Sequence, residues 1–266
     1  MEFKGKILLI GGARGKDHGT VLLELCPTPK SARIAIVTTG TAYPREAFEF
    51  YEDYFKNEEV EWIEMLDIDS RHLRQEQLEL VEKSNAVFFG GGNQRKILEI
   101  IAGTELEDLL RKKLEEEEDF ILGGTSAGAM IFGKYVIGDG YEKEHLTKGD
   151  VDIRDGLDFI KNIIIDTHFF HSLRLTRLSL AVLEQCECIG IGIPENTGVF
   201  VRDGKIEAIG DDMVAVLDAS EAESNLKEAR SGDRIHAANI RLRFLNRNSM
   251  VIKESKEKTS KDKHGK

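Results

Sequence analysis

Apolar and polar positions along the first half of the chain switch repeatedly between two periods. Lys6 to Ile10, Arg33 to Thr38 and Ala86 to Phe89 carry short apolar runs of the kind buried strands use, and Val60 to Leu66 alternates as a strand does. Between them the period becomes helical. A glycine-rich turn, Gly11 to Gly19, leads into an apolar helix ending near Cys26, and Pro44 opens a helix through Lys56 on which Phe48, Tyr51, Tyr54 and Phe55 form one stripe. That stripe reads as core, not as a cofactor box. Leu73 to Val81 is helical, and Glu105 to Asp119 is a solvated helix with Leu106, Leu109, Leu110 and Leu114 on its buried side. Strands alternating with helices of this length predict an α/β fold: a doubly wound, mostly parallel sheet with helices on both faces.

The second half is less regular. Gly138 to Asp158 reads as an irregular loop region covering a site, Ile163 to Ile165 and Cys188 to Val201 as buried strand segments, and Asp203-Gly204 as the turn of a C-terminal hairpin extension. Met213 to Leu217 and Ile240 to Leu245 are expected to extend the sheet. From Lys253 the composition changes to 6 Lys against 3 acids with no apolar residue, a flexible tail. The expected organisation is one domain over 1–252 and a Lys-rich tail over 253–266.

Composition narrows the function. The 266 residues are 41% hydrophobic, enough for a sizeable core, and 37 basic against 48 acidic side chains leave a net charge of −11. That balance argues against nucleic acid as a partner and is compatible with cationic substrates. Cys26, Cys186 and Cys188 are too few and too badly spaced for a disulfide framework or a zinc site and read as buried thiols. The first continuous apolar run, Ile7 to Ile10, is shorter than a signal-peptide core or a membrane span, so a soluble cytoplasmic protein with no membrane partner is expected.

Candidate chemistry begins at Phe120 to Met130, FILGGTSAGAM. An apolar run feeds two glycines and then Ser126, followed by Ala127, Gly128 and Ala129, small enough for a helix to pack close behind the serine. The pattern is that of a nucleophile elbow, in which the amide after the serine, here that of Ala127, offers half of an oxyanion hole. The window alone equally fits a serine that merely caps a helix. Two other glycine clusters fail as nucleotide motifs. In Gly11 to Asp17 the first glycine of a phosphate loop would fall on Ile10 and Asp17 follows the lysine, while in Gly90 to Arg95 the last dinucleotide glycine is Arg95. No cofactor is expected. GGGNQ remains a loop at the carboxyl end of a parallel strand, where open α/β sheets place ligands.

Ile163 to Leu178, IIIDTHFFHSLRLTRL, brings Asp166, His168, His171, Arg174 and Arg177 to the end of one apolar strand. Strand alternation puts Asp166 and His168 on one face. His168 is the best general base in the chain. His171 suggests a metal pair, but no third ligand accompanies it and no metal is assigned. Arg174 and Arg177 share a helix face suited to a carboxylate. Cys188 to Val201 ends its apolar run at Pro194, Glu195 and Asn196, and Glu195 is placed to orient a histidine, with Asp166 the alternative.

GGTSAGA at Gly123 to Ala129, GGGNQ at Gly90 to Gln94, DTHF at Asp166 to Phe169 with spaced arginines after it, and GIPENT at Gly192 to Thr197 together resemble the cyanophycinases. More broadly, they resemble the serine peptidase family that includes dipeptidase E. The resemblance implies a flavodoxin-like fold similar to class I glutamine amidotransferases and a Ser126, His168, Glu195 triad. It also implies oxyanion amides at Gly92 and Ala127, and substrate contacts at Gln94, Asp166, Thr167, Arg174 and Arg177. It further implies exopeptidase action on cyanophycin, multi-L-arginyl-poly-L-aspartate, releasing β-Asp-Arg dipeptides, and a homodimer. This chain departs from the cyanophycinase pattern in having Thr167 where the motif has glutamine and Ser172 where it has the first arginine. A dipeptidase on small Asp-containing peptides and a non-hydrolytic binding protein on the same fold are the alternatives.

Overall fold

The computed structural model of the protein describes residues 3–13, 21–22, 24, 29–140, 145–170, 174–202, 204–247 and 249–252. Most of the stretch expected to run from the first glycine turn to Cys26 falls outside the described residues, as do His171, Ser172, Asp203 and the Lys-rich tail.

Five strands form a parallel sheet: β1 (Lys6–Ile10), β2 (Arg33–Val37), β3 (Trp62–Leu66), β4 (Ala86–Phe89) and β5 (Ile121–Thr125), in the spatial order β3-β2-β4-β5-β1. Their apolar runs are unbroken because both faces are covered. Ile7, Leu9, Val37, Phe89 and Leu122 enter one core, with side chains of α2 (Gln75–Lys83), α3 (Gln94–Ile101) and α4 (Glu105–Glu116). Leu8, Ile10, Ile36 and Phe88 enter the other, against Phe48, Tyr51 and Phe55 of α1 (Pro44–Phe55). The aromatic stripe is therefore core, and burial pushes the Tyr51 phenol well above its ordinary pKa, so it stays neutral. Asn93 caps α3 by accepting from the amides of Arg95 at 2.9 Å and Lys96 at 3.2 Å. Asn93→Ala should cost about 1 kcal/mol, readable in a denaturant melt.

The expectation of a single sheet is corrected. After β5 a one-turn helix, α5 (Ala127–Met130), carries the chain to a second sheet of six strands. It contains β6 (Gly133–Gly140), β7 (Val151–Asp155), β8 (Ile160–Thr167), β9 (Ile189–Ile193), β12 (Val214–Asp218) and β15 (Arg241–Leu245), ordered β15-β12-β9-β8-β6-β7. β10 (Thr197–Arg202), β11 (Lys205–Gly210) and β16 (Met250–Ile252) return to the first sheet on its β1 side, all antiparallel, while β13 (Glu223–Ser224) and β14 (Ala237–Ala238) pair with each other. The hairpin turning at Gly204 is thus built into the first sheet, and the two later strand candidates belong to the second. The stretch read as irregular loop contains the last three residues of β6, Gly138 to Gly140, and all of β7; the two strands are an antiparallel pair with a bulge between Ile137 and Asp139.

α6 (Arg174–Glu184) covers the second sheet, and two glycines of β9 make room, Gly190 for the helix and Gly192 for the Phe169 ring that precedes it. A methyl at Gly190 would stand 2.8 Å from Val182 Cγ1, and one at Gly192 would stand 2.5 Å from the Phe169 ring. Cys188 is buried as expected, whereas Cys186 is exposed. Among the described residues no helix is long and apolar enough to cross a membrane.

Candidate active site

The two sheets exchange the chain twice around one point. It leaves the first sheet through Ser126 and returns from the second through Pro194, Glu195 and Asn196. His168 directly follows β8, the strand parallel to β9, so the ladder places it beside the Glu195 crossover.

Ser126 has φ 53° and ψ −124°, a backbone conformation L-residues rarely adopt, and its side chain makes no capping bond to α5. Of the two readings the sequence left open, the helix-capping one is removed. The turn is tight because its neighbours lack side chains: a Cβ at Gly124 would lie 2.2 Å from the Gly128 carbonyl oxygen, and one at Gly128 2.2 Å from that of Phe89. Directed outward instead, the Ser126 hydroxyl lies 3.0 Å from His168 Nε2, and His168 Nδ1 lies 2.8 Å from Glu195 Oε1. An ionised carboxylate only accepts, so Nδ1–H donates to Glu195 and Nε2 is left with its lone pair toward the serine hydroxyl. The His168 and Glu195 side chains are 27% and 11% exposed, sheltered enough to strengthen the pair yet open to a substrate.

The shared face predicted for Asp166 and His168 is not what the structure adopts. His168 has φ 50°, which breaks the strand alternation at that residue and swings the imidazole to Ser126, while Asp166 keeps the strand geometry and meets α6. Asp166 is fully buried, and Arg177 embraces it with Nε on Oδ2 at 2.7 Å and Nη2 on Oδ1. Arg174 donates to the Thr167 carbonyl and stands 3.6 Å from Asp166 Oδ1. The Arg177 fork, read from sequence as facing a substrate carboxylate, therefore holds the protein's own. Thr167 is 1% exposed. Gln94 donates its amide to the carbonyls of Ile137 at 2.9 Å and Gly138 at 3.0 Å. Gly92 follows Gly91, where a methyl would stand 3.8 Å from Ser126 Oγ, and Ala127 opens α5 directly after the serine.

One element was missed. Ile10, Gly11 and Gly12, set aside above as a failed phosphate loop, offer three successive carbonyls to the site: Ile10 accepts from the Ser126 amide at 3.0 Å, Gly11 from His168 at 2.8 Å and Gly12 from Asn196 at 3.0 Å. All three donors have positive φ, at 53°, 50° and 54°. A single strand end thus holds the unusual backbone at Ser126, at His168 and beside Glu195. Gly12 itself has φ 123°, and a Cβ there would fall 2.2 Å from His168 Cε1. The available sequence signal was a double glycine at the end of the first strand, but hydrogen bonds to partners more than a hundred residues away have no local pattern.

Placed together, these groups can carry out acyl transfer: a hydroxyl with a base in line behind it, an acid holding that base, and backbone amides nearby. Comparison with known proteins agrees. Residues 7–209 match the model of peptidase family S51. A cyanophycinase of Geminocystis herdmanii is 32% identical over 249 residues, covering 91% of each chain. In fold, the protein resembles the crystal structure of a peptidase from an acI-B1 actinobacterium, with a TM-score of 0.64, 18% identity and coverage of 94% of this chain and 98% of that one. It also resembles a candidate peptidase E protein from Listeria monocytogenes EGD-e, with a TM-score of 0.57, 15% identity and coverage of 78% and 99%. The chain belongs to peptidase family S51 and is a serine-type peptidase.

Proposed function

We propose that the protein is an exopeptidase that hydrolyses cyanophycin to β-Asp-Arg dipeptides, with Ser126 as nucleophile, His168 as general base and acid, and Glu195 as the group that orients His168. The observation that carries this reading is the unbroken line from Ser126 Oγ to His168 Nε2 at 3.0 Å and from His168 Nδ1 to Glu195 Oε1 at 2.8 Å. Ser126 Oγ bonds to the substrate carbonyl carbon as its proton passes to Nε2. The tetrahedral oxyanion is met by the amides of Gly92 and Ala127, each such donor being worth about 10²–10³ in turnover. His168 then protonates the leaving amine as the C–N bond breaks, and water activated by His168 hydrolyses the serine ester. In this reading the parallel half of the first sheet is a doubly wound, flavodoxin-like core, residues up to 252 make one domain, and the enzyme is a cytoplasmic homodimer.

A second substrate reading, a dipeptidase on small Asp-containing peptides, is favoured by Thr167, which stands in the place of the cyanophycinase glutamine and is enclosed in the protein. The test is to incubate the protein with cyanophycin and, separately, with Asp-Xaa dipeptides, identify products by mass, and in parallel label it with a fluorophosphonate. Labelling of Ser126 with dipeptide release from the polymer is expected. Labelling with cleavage of the small peptides alone would move the substrate to the second class, and absence of labelling in folded protein would refute the serine mechanism.

A further inference from the structure

The loop Gly90 to Gln94 abuts Ser126 at one end and is tied down at the other. Gln94 binds two successive backbone carbonyls, Ile137 and Gly138, at the bulge of β6. The next residue, Arg95, reaches across the same bulge and donates Nη2 to Asp152 Oδ2 on β7 at 2.9 Å, and Arg154 Nε donates to the same oxygen at 2.7 Å. Gly138 makes room for this crossing: a methyl there would stand 2.7 Å from Asp152 Oδ2 and 3.1 Å from Arg95 Nε. On its other edge β6 pairs with β8, the strand that delivers His168. The β6–β7 hairpin therefore touches both the loop beside the nucleophile and the strand of the base.

We propose that this hairpin is a strut setting the distance between the Gly90–Gln94 loop and the Ser126–His168 pair, with Gln94, Arg95 and Asp152 as positioning residues. The inference rests on the serine mechanism proposed above and departs from the substrate-contacting role that the family resemblance implies for Gln94. Gln94 already uses its amide donors on the protein's own carbonyls. A bulge bends its strand and re-aims the groups it carries, and a loop that supplies an oxyanion amide tolerates little displacement.

The experiment uses variants on both sides of the strut: Gln94→Glu, which places a carboxylate against two carbonyls, Gly138→Ala, which disturbs the crossing at a carbonyl Gln94 binds, and Asp152→Asn, which disturbs it on β7 away from Gln94. Asp152 is 39% exposed, so its variant keeps the fold, as a thermal melt will verify. Each is assayed for kcat and KM and for its rate of inactivation by a small fluorophosphonate, which needs the nucleophile and oxyanion site but no peptide recognition. The strut requires kcat and the inactivation rate to fall together by about tenfold or more with KM nearly unchanged. If folded variants react with the fluorophosphonate at the wild-type rate while KM rises, Gln94 is a substrate contact and the strut is refuted. If wild type itself is not labelled, the serine mechanism fails first, and the strut with it.

Discussion

Glu195→Gln is expected to lower kcat by about 10³–10⁴-fold while the protein melts near the wild-type temperature. A neutral amide can present its oxygen or its NH₂ to Nδ1, so the tautomer that leaves Nε2 free to accept the Ser126 proton is no longer enforced, and the imidazolium formed during attack loses its counter-charge. Asp166→Asn provides the contrast. Its carboxylate is fully buried against Arg177, so removing one partner of the pair is expected to destabilise the fold by about 3–5 kcal/mol. Catalysis per folded molecule should fall far less than with Glu195→Gln. The pair of measurements, kcat and denaturation midpoint, separates the two acids. A large kcat loss from Asp166→Asn with an unchanged midpoint would overturn the assignment of Glu195.

Gly12→Ala is expected to be as severe for a different reason. A β-carbon there would occupy the space of the His168 ring, 2.2 Å from Cε1 and 2.7 Å from Nε2, and at φ 123° an L-residue is strained whatever the space. Either the imidazole moves or the peptide does, and if the peptide does, the carbonyl that holds Asn196 moves with it. Loss of kcat by at least about 10²-fold follows, since a displacement near 1 Å at a reacting group has that effect. Gly204→Ala is the matched control, with φ 70° and nothing within 4 Å of the added methyl. It should cost about 1–2 kcal/mol of stability and leave kcat unchanged. Fluorophosphonate labelling of both variants in their folded state reads the difference directly; equal labelling would show that Gly12 has no part in holding His168.

Much of this molecule was written locally in its chain. Apolar runs of four or five residues bounded by glycine or charge can be buried on both faces only as strands of a covered sheet, and β1, β2 and β4 follow from them within a residue; β3 follows from alternation, and β5 runs three residues further than its apolar run, through the two glycines expected to turn. The helices α1, α2 and α4 follow from their stripes for the same reason. Ser126 was legible because a strained turn needs small neighbours, and those neighbours are adjacent in sequence. His168 and Glu195 were legible as polar groups ending apolar strands. Tertiary structure alone decided what depends on distance between strands. It divided one expected sheet into two and drew part of a presumed loop, the end of β6 and all of β7, into an antiparallel hairpin. It sent Asp166 to Arg177 instead of to His168, because a single positive φ at His168 reverses the strand alternation. It also made Ile10 to Gly12 the common anchor of the site. Hydrogen bonds from that one strand end to Ser126, His168 and Asn196 span most of the chain, and no periodicity, propensity or spacing records a contact of that range.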